Sequence, residues 1–389
     1  MLRVYLDNNA STPVLPEVFE AMRPYYLERF GNASSIHHFG QHARASVERA
    51  RNSVAALLNA RPAEIVFTSG GTESDNLGIF GLARGGDHVI TSTIEHSAVM
   101  NTCNRLEQMG CEVTYVPVDG QGQVDPEDVH KAIRPNTRLI SIMMANNETG
   151  VVQPVEEMGR IALEADVFFH TDAVQAAGKV PIDVQKIRCD ALSISGHKIH
   201  APQGTGALFI KKGTLIQPLL YGGNHERQRR AGTENLPGIV GLGKAAEISK
   251  HWLEHGGPTE MAAMRDRLER TILRAVDGTG VNGLGAPRVP NTTSIYFDHV
   301  EGEALVIALD LKGLSVSSGA ACSSGAIEPS HVLLAMGLSH ERARGSLRLS
   351  LGKQTTNEEV DFAIRVVPET VARLREISPV YRKSSVLTN

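Results

Sequence analysis

A chain of 389 residues, 41% of them hydrophobic and 21% charged, can bury more than one core, which excludes disorder as the default and sets an expectation of two domains. A formal charge of −4 offers no general attraction to nucleic acid or to an anionic membrane, so the expected partners are a small substrate and other proteins. The start of the chain has no apolar run of signal-peptide length, and no segment approaches the roughly 20 apolar residues that span a bilayer; a cytoplasmic location is expected. Cys103, Cys111, Cys189 and Cys322 form no CxxC pair, which argues against a disulfide framework or a structural zinc knot.

In chain order, YLDNNASTP at 5–13 reads as a short strand breaking into a polar turn, with its Asn and Asp residues as turn formers. A helix is predicted from about 16 to 29. The next segment opens as a Gly and Ser loop and becomes a helix on which Val47, Val54, Leu57 and Leu58 share a face. His38 and His42 have the spacing of metal ligands on a helix, but nothing around them completes a site, and a capping or solvated role is the better reading.

From Glu64 onward, EIVFT, HVITS, CEVTYV, RLISIMMA and VFFH are short apolar runs rich in β-branched residues. They alternate with helical stretches at 72–83, 97–109, 126–133 and 154–165. That alternation predicts parallel βαβ units, hence an open sheet covered by helices, with ligands beyond the carboxyl ends of its strands. Chemistry-bearing residues recur there. SGGTESDN at 69–76 is a Gly-rich turn opening a helix, which reads equally as a plain N-cap or as a phosphate site to which Thr72 could add a hydroxyl. His96 follows the next strand, Asn146–Gly150 is an amide-rich turn after another, and Asp172 and Gln175 follow VFFH. Ala191–Ile194 runs into Ser195-Gly196-His197-Lys198, where a lysine at a strand end is both buried and presented, and burial favours its neutral, nucleophilic form. Farther on, 290–297 and 346–351 read as strands of a smaller domain, with helices near 301–312, 330–336 and 357–374. The expected division is a large domain over 14–253 and a small α+β domain from 1–13 and 254–389.

Pyridoxal phosphate (PLP) uses the whole set: a lysine for its aldehyde, an anion cradle, an acid beside the ring nitrogen, a partner for the phenolic oxygen and a flat group over the ring. Asp172 is the natural acid. A second centre is Cys322, set among small residues in VSSGAACSSG; little packing and large backbone freedom are expected of a loop that must move, here 317–328. No cation lies near Cys322 in sequence, so whatever lowers its pKa must fold close by, and His96 is the candidate.

LDNNASTP, TSGGTESDN, EHSAV, NNETGVVQP, HTDAVQAAGK, SISGHKIHAPQGTGAL, RRAGTEN and SSGAACSSG occur in that order. From Tyr5 to about Thr356 the chain resembles the group I cysteine desulfurases, in the class V aminotransferase-like branch of fold-type I PLP enzymes. The resemblance implies an α/β fold with a mainly parallel, seven-stranded type of sheet. It implies that Lys198 holds PLP, that His96 stacks on the ring and serves as acid or base, and that Asp172 meets the ring nitrogen and Gln175 the phenolic oxygen. Gly71, Thr72, Ser195, Gly196 and His197 would bind the phosphate, joined by Thr233 of a neighbouring subunit in a homodimer. Asn147 would lie beside cofactor and substrate, and Arg348 would take the substrate carboxylate, a role that suits a planar guanidinium.

The reaction so implied converts L-cysteine to L-alanine. Lys198 removes the Cα proton, and Cys322 attacks the substrate sulfur and carries it as a persulfide to an acceptor scaffold for iron–sulfur assembly or another thio-cofactor. No intrinsic metal is expected, although Cys322 is a candidate transient ligand of a shared iron–sulfur cluster. Two features depart from the family pattern: His225 and Gln228 stand where relatives more often carry glutamine and glycine. Arg227, Arg229 and Arg230 read as a solvated, dimer-contacting face rather than a nucleic-acid site.

Overall fold

The computed structural model describes residues 3–318 and 329–377. The apolar runs predicted as strands form a seven-stranded sheet: β1 (Ile65–Thr68), β2 (His88–Ser92), β3 (Glu112–Val116), β4 (Thr137–Ser141), β5 (Phe168–Asp172), β6 (Ala191–Ser195) and β7 (Gly206–Ile210). Their spatial order is β1-β7-β6-β5-β4-β2-β3. Strand β7 runs antiparallel to both its neighbours, β1 and β6, and the other pairings are parallel. Strands β1, β2, β6 and β7 are buried at every position, as continuous apolar runs must be when helices cover both faces.

On one face pack the helices His38–Leu58 and Leu236–Glu254, around Val54, Leu58, Phe169, Ile194 and Leu242. On the other lie Gly71–Leu82 and Ser97–Gln108, around Leu77, Ile79, Val99 and Leu106. Another cluster joins Val4 and Leu6, at the start of the chain, to Ile295, Phe297, Leu347, Leu349 and Val360. It sits on a four-stranded antiparallel sheet in the order Ser317–Ser318, Ser346–Ser350, Thr292–Phe297, Thr279–Val281. Val4–Tyr5 pairs in parallel with Leu314–Ser315, and Ser350 N donates to the Leu6 carbonyl at 2.8 Å.

The helix predicted from about 16 to 29 is two short helices, Pro16–Met22 and Pro24–Leu27. Pro24 has no N–H to continue the ladder, so it opens a new helix instead. The apolar run RLISIMMA stops being a strand at Ser141; beyond it Met144 N still donates to the Asp172 carbonyl at 2.8 Å, and Ala145 bridges Val152 at the base of the turn that carries Asn147. A helix that the sequence reading missed, Gly257–Ala275, packs Leu268 and Ile272 into the cluster around Ile295.

Candidate active site

The carboxyl ends of β1, β2, β4, β5 and β6 open onto one cavity of about 270 Å³. Gly71, Thr72, His96, Asn147, Asp172, Gln175, Ser195, His197, Lys198 and Arg348 all line it. Gly196 lies between two of these residues, packed on Thr205 rather than on the cavity; a Cβ there would meet Thr205 Oγ1 at 2.6 Å. Thr233 is exposed and does not line it. Cys322 falls outside the described residues.

At the end of β1, the helix Gly71–Leu82 points its N-terminus at the cavity, where first-turn N–H groups and the helix dipole favour an anion. Position 71 needs glycine because a Cβ would come within 2.8 Å of Val174 Cγ2. Arg230 steadies this helix start through Glu73, with Nε 2.8 Å from Oε1. In the basic cluster Arg227 is exposed and Arg229 and Arg230 are half-buried; Arg227 and Arg229 both donate to the Ala63 carbonyl, at 2.7 and 3.1 Å, and Glu226 beside them forms a buried bidentate pair with Arg51.

His96 caps the helix Ser97–Gln108, its Nδ1 accepting from Ala98 N at 3.1 Å. An imidazole that accepts at Nδ1 carries its proton, when neutral, on Nε2. Burial lowers its pKa, Lys198 and His331 add to that, and Asp172 opposes them; the ring is held toward its neutral form. Asp172 is 6% exposed and takes a hydrogen bond from Val174 N at 2.8 Å. Burial raises its pKa, while His96 and Lys198 pull it back toward the carboxylate. His197, with Nδ1 3.2 Å from Ser11 Oγ, is pushed down to about 4 by burial and by Lys198.

Lys198 is half-buried, its Nζ donating to the carbonyls of Asn9 and Ala10 at 2.6 and 2.8 Å. Arg348 closes the opposite wall. It is 3% exposed, with Nη2 2.7 Å from Asp7 Oδ1 and Nη1 2.9 Å from the Asn147 carbonyl. An alternating strand would have left this arginine in solvent, but Ser346–Ser350 is buried throughout. Among the described residues its Nε is buried without a hydrogen-bond partner, a donor open to an acceptor.

Several residues that hold this site escaped the sequence reading. Asn9 had seemed a turn former; its carbonyl accepts from Lys198 and from Gln175 Nε2, the latter at 3.0 Å. Its Nδ2 donates to the Asn147 carbonyl and to Thr292 Oγ1, at 3.1 and 2.9 Å. Asp75 is buried beside the cavity with Oδ1 3.7 Å from His170 Nε2, and burial and Asp172 hold its pKa well above the usual carboxylate range. Glu95 is pushed up to about 8 by burial, although Ser92 Oγ and Met143 N bond to its Oε1 at 2.6 and 2.9 Å. Glu148, next to Asn147, is pushed up to about 7 by burial and accepts from Ser330 Oγ at 2.5 Å. Their motifs, LDNNASTP, TESDN, EHSAV and NNETG, were visible in the sequence, but only their neighbours had been given roles.

The donor set fits PLP. A lysine amine, a buried carboxyl, an imidazole, a helix N-terminus cleared of side chain at Gly71 and an unsatisfied guanidinium N–H share one cavity. That combination meets the needs of an amine-reactive aldehyde, a ring nitrogen, a phosphate and an amino-acid carboxylate.

The sequence profile of the aminotransferase class-V family matches residues 4–362. A cysteine desulfurase IscS of Methanosarcina thermophila is 52% identical over 384 residues, 98% of this chain and 95% of that protein. The cysteine desulfurase NifS of Azotobacter vinelandii is 47% identical over 385 residues, 98% and 96% of the two chains. Among solved structures, a NifS-like protein superposes with a TM-score of 0.89 at 39% identity, covering 96% of this chain and all 100% of that one. SspA in complex with cysteine superposes at 0.81 with 39% identity, over 91% and 100%. With that coverage, and with the fold and cavity already described, the chain belongs to the aminotransferase class-V family of PLP-dependent enzymes, in its NifS/IscS-like cysteine desulfurase branch.

Proposed function

We propose that the cavity takes L-cysteine, releases L-alanine and passes the sulfur to Cys322 as a persulfide, with PLP as cofactor. The observation that carries this reading is the convergence of Lys198, Asp172 and His96 with a helix N-terminus and a buried arginine in one cavity. Gly71, Thr72, Ser195 and His197 would hold the phosphate, with Gly196 allowing the close turn, and Thr233 of a second copy would join them. Asp172 would face the ring nitrogen, Gln175 the phenolic oxygen and Lys198 the aldehyde. When bound, PLP supplies an electron sink for a carbanion at the substrate α-carbon.

The chain's own groups do the rest. Arg348 binds the substrate carboxylate with its free donors, positioned by Asp7 and the Asn147 carbonyl. Lys198 Nζ takes the α-proton, and the two carbonyls that hold it, Asn9 and Ala10, aim its lone pair. His96 keeps a donatable proton on Nε2 because its Nδ1 is taken by Ala98 N. Cys322 Sγ attacks the substrate sulfur. An S–S bond forms as the C–S bond breaks, so one thiol and L-cysteine become a persulfide and L-alanine. The residues that flank its segment support the reach required: Ser317 pairs with Arg348 in the sheet, and Ser330 bonds to Glu148 beside Asn147.

A homodimer is part of the proposal. Phe19, Tyr26, Leu27, Phe30 and Ile36, close together in the chain, are all exposed, with Leu27 80% and Ile36 90% exposed, apolar side chains that a second copy would cover. A persulfide also needs a protein acceptor, for which we propose an iron–sulfur scaffold, and reduced thiols suit a cytoplasmic enzyme; among the described residues Cys103, Cys111 and Cys189 are free and buried.

The test is incubation of the holoenzyme with L-cysteine, measuring alanine and the mass of the Cys322 peptide. We expect alanine and a 32-dalton gain (about one sulfur atom) on that peptide, and loss of both in Cys322→Ala. Alanine formation at the wild-type rate in Cys322→Ala would sink the sulfur-transfer step.

A further inference from the structure

Lys179 takes no part in the roles assigned so far, yet it is 7% exposed and its amine sits against the residue expected to meet the phenolic oxygen. Nζ lies 2.6 Å from Gln175 Oε1 and 3.1 Å from Asn9 Oδ1. Which end of each amide faces the lysine is decided by carbonyls, which only accept. The other end of Gln175 is 3.0 Å from the Asn9 carbonyl oxygen, and the other end of Asn9 is 3.1 Å from that of Asn147. Both of those ends are therefore NH₂ groups, and both oxygens point at Lys179. Asn9 Oδ1 has a second donor in Asn291 Nδ2, at 3.1 Å. For Gln175 Oε1, among the described residues, the donor is Lys179.

We propose that Lys179 is a positioning residue that locks the Gln175 carboxamide with Nε2 toward the cavity, so that Gln175 can only donate to the bound cofactor's phenolic oxygen. The inference rests on the PLP reading given above. A donor at that oxygen stabilises its anionic form and lowers the pH at which the bound cofactor loses its proton. Without Lys179 the amide oxygen loses its donor and only the Asn9 carbonyl still holds the amide, so the amide rotates more readily and can present its oxygen, which repels the same anion. The charged and titratable groups around the amine are Lys198, Arg348, Lys353 and His200. With burial, the three cations hold its pKa well below the ordinary lysine value. Charged or neutral, the amine has at least two N–H groups, one for each oxygen it faces.

The experiment is a pH titration of the visible absorption band in PLP-loaded wild type, Lys179→Met, Gln175→Ala and the double variant. We expect Lys179→Met to move the midpoint upward by about one unit, a tenfold change in proton affinity, and to speed PLP release in dilution. In the Gln175→Ala background the same substitution should move the midpoint no further, as a residue acting through Gln175 must. Should Lys179→Met not fold, Lys179→Gln retains one donor and is expected to show a smaller shift in the same direction. An unchanged midpoint overturns the proposal, and so does a shift of equal size in both backgrounds, which would mean that the lysine acts directly by its charge. If wild-type apoprotein gains no visible band with PLP, the cofactor reading itself fails, and the role of Lys179 fails with it.

Discussion

Two regions build the cavity in opposite ways. The rim of the sheet contributes side chains that line the cavity: His96, Asp172, Gln175 and Lys198 each stand at or just beyond the carboxyl end of a strand. The turn at Asp7–Ser11 contributes mostly groups that face other protein groups. Asn9 alone bonds to Asn147, Gln175, Lys179, Lys198, Asn291, Thr292 and Ser350. The first region carries reactivity on rigid elements. The second decides which way that reactivity points, and it ties the sheet rim to Arg348 on the smaller sheet through Asp7. A change at the rim should therefore cost turnover with little stability, and a change at the turn the reverse.

The sharpest test of that contrast is Lys198→Ala. It removes the proposed base and cofactor anchor, so alanine formation should fall by more than about 10⁴-fold. The loss involves a half-buried side chain with two carbonyl partners, and apoprotein stability in urea should change by no more than about 1 kcal/mol. Asn9→Ala is the mirror experiment. It strips partners from four buried groups, Asn147 O, Thr292 Oγ1, Lys179 Nζ and Asn291 Nδ2, and should cost the apoprotein about 3 kcal/mol, while the carbonyl that holds Lys198 remains. Equal stability losses in the two variants would break the comparison.

The smallest effect is a pH dependence behind the rim. Glu95 has a folded pKa of about 8 against an ordinary 4.5, so the folded state binds its proton more tightly than the unfolded chain does. Its stabilising contribution is full below pH 4.5 and is lost as pH rises through 8. Glu148, at about 7, adds a loss of the same sign, whereas His197 and His200, both at about 4, act oppositely: the unfolded chain takes up their protons below about 6.5, and stability falls with falling pH. Glu95→Gln cannot ionise. Its stability relative to wild type should improve steadily between pH 5 and 8 in urea titrations, and a constant difference over that range would show that folded Glu95 is already ionised like its unfolded counterpart.

Strand ends were the legible part of the site. The β-branched runs and the turn residues after them are local signals, so the places of Thr72, His96, Asp172 and Lys198 followed from a few residues each, and the ordered motifs gave them roles. Pro24 was equally local, but its power to split a helix was passed over in favour of the surrounding pattern. Other parts were not legible at all. Arg348 could be an exposed strand arginine until its partner Asp7, 341 positions away in the chain, was in place. Glu148 meets Ser330 across 182 positions, and nothing in NNETG announces a carboxyl kept close to neutral. Lys179 stood inside a quoted motif, yet its task depends on which end of two amides faces it.

Taken by itself, the sequence determined the alternating α/β architecture, the anion-binding turn, the amine and the acid, because hydrophobic period, turn chemistry and residue type act over a few neighbours. Tertiary structure alone decided which of these groups are buried, which face one another, and hence their proton affinities and hydrogen-bond directions. Those properties depend on how much water is excluded and which dipoles and charges arrive from distant parts of the chain, and neither quantity exists until the chain has closed on itself.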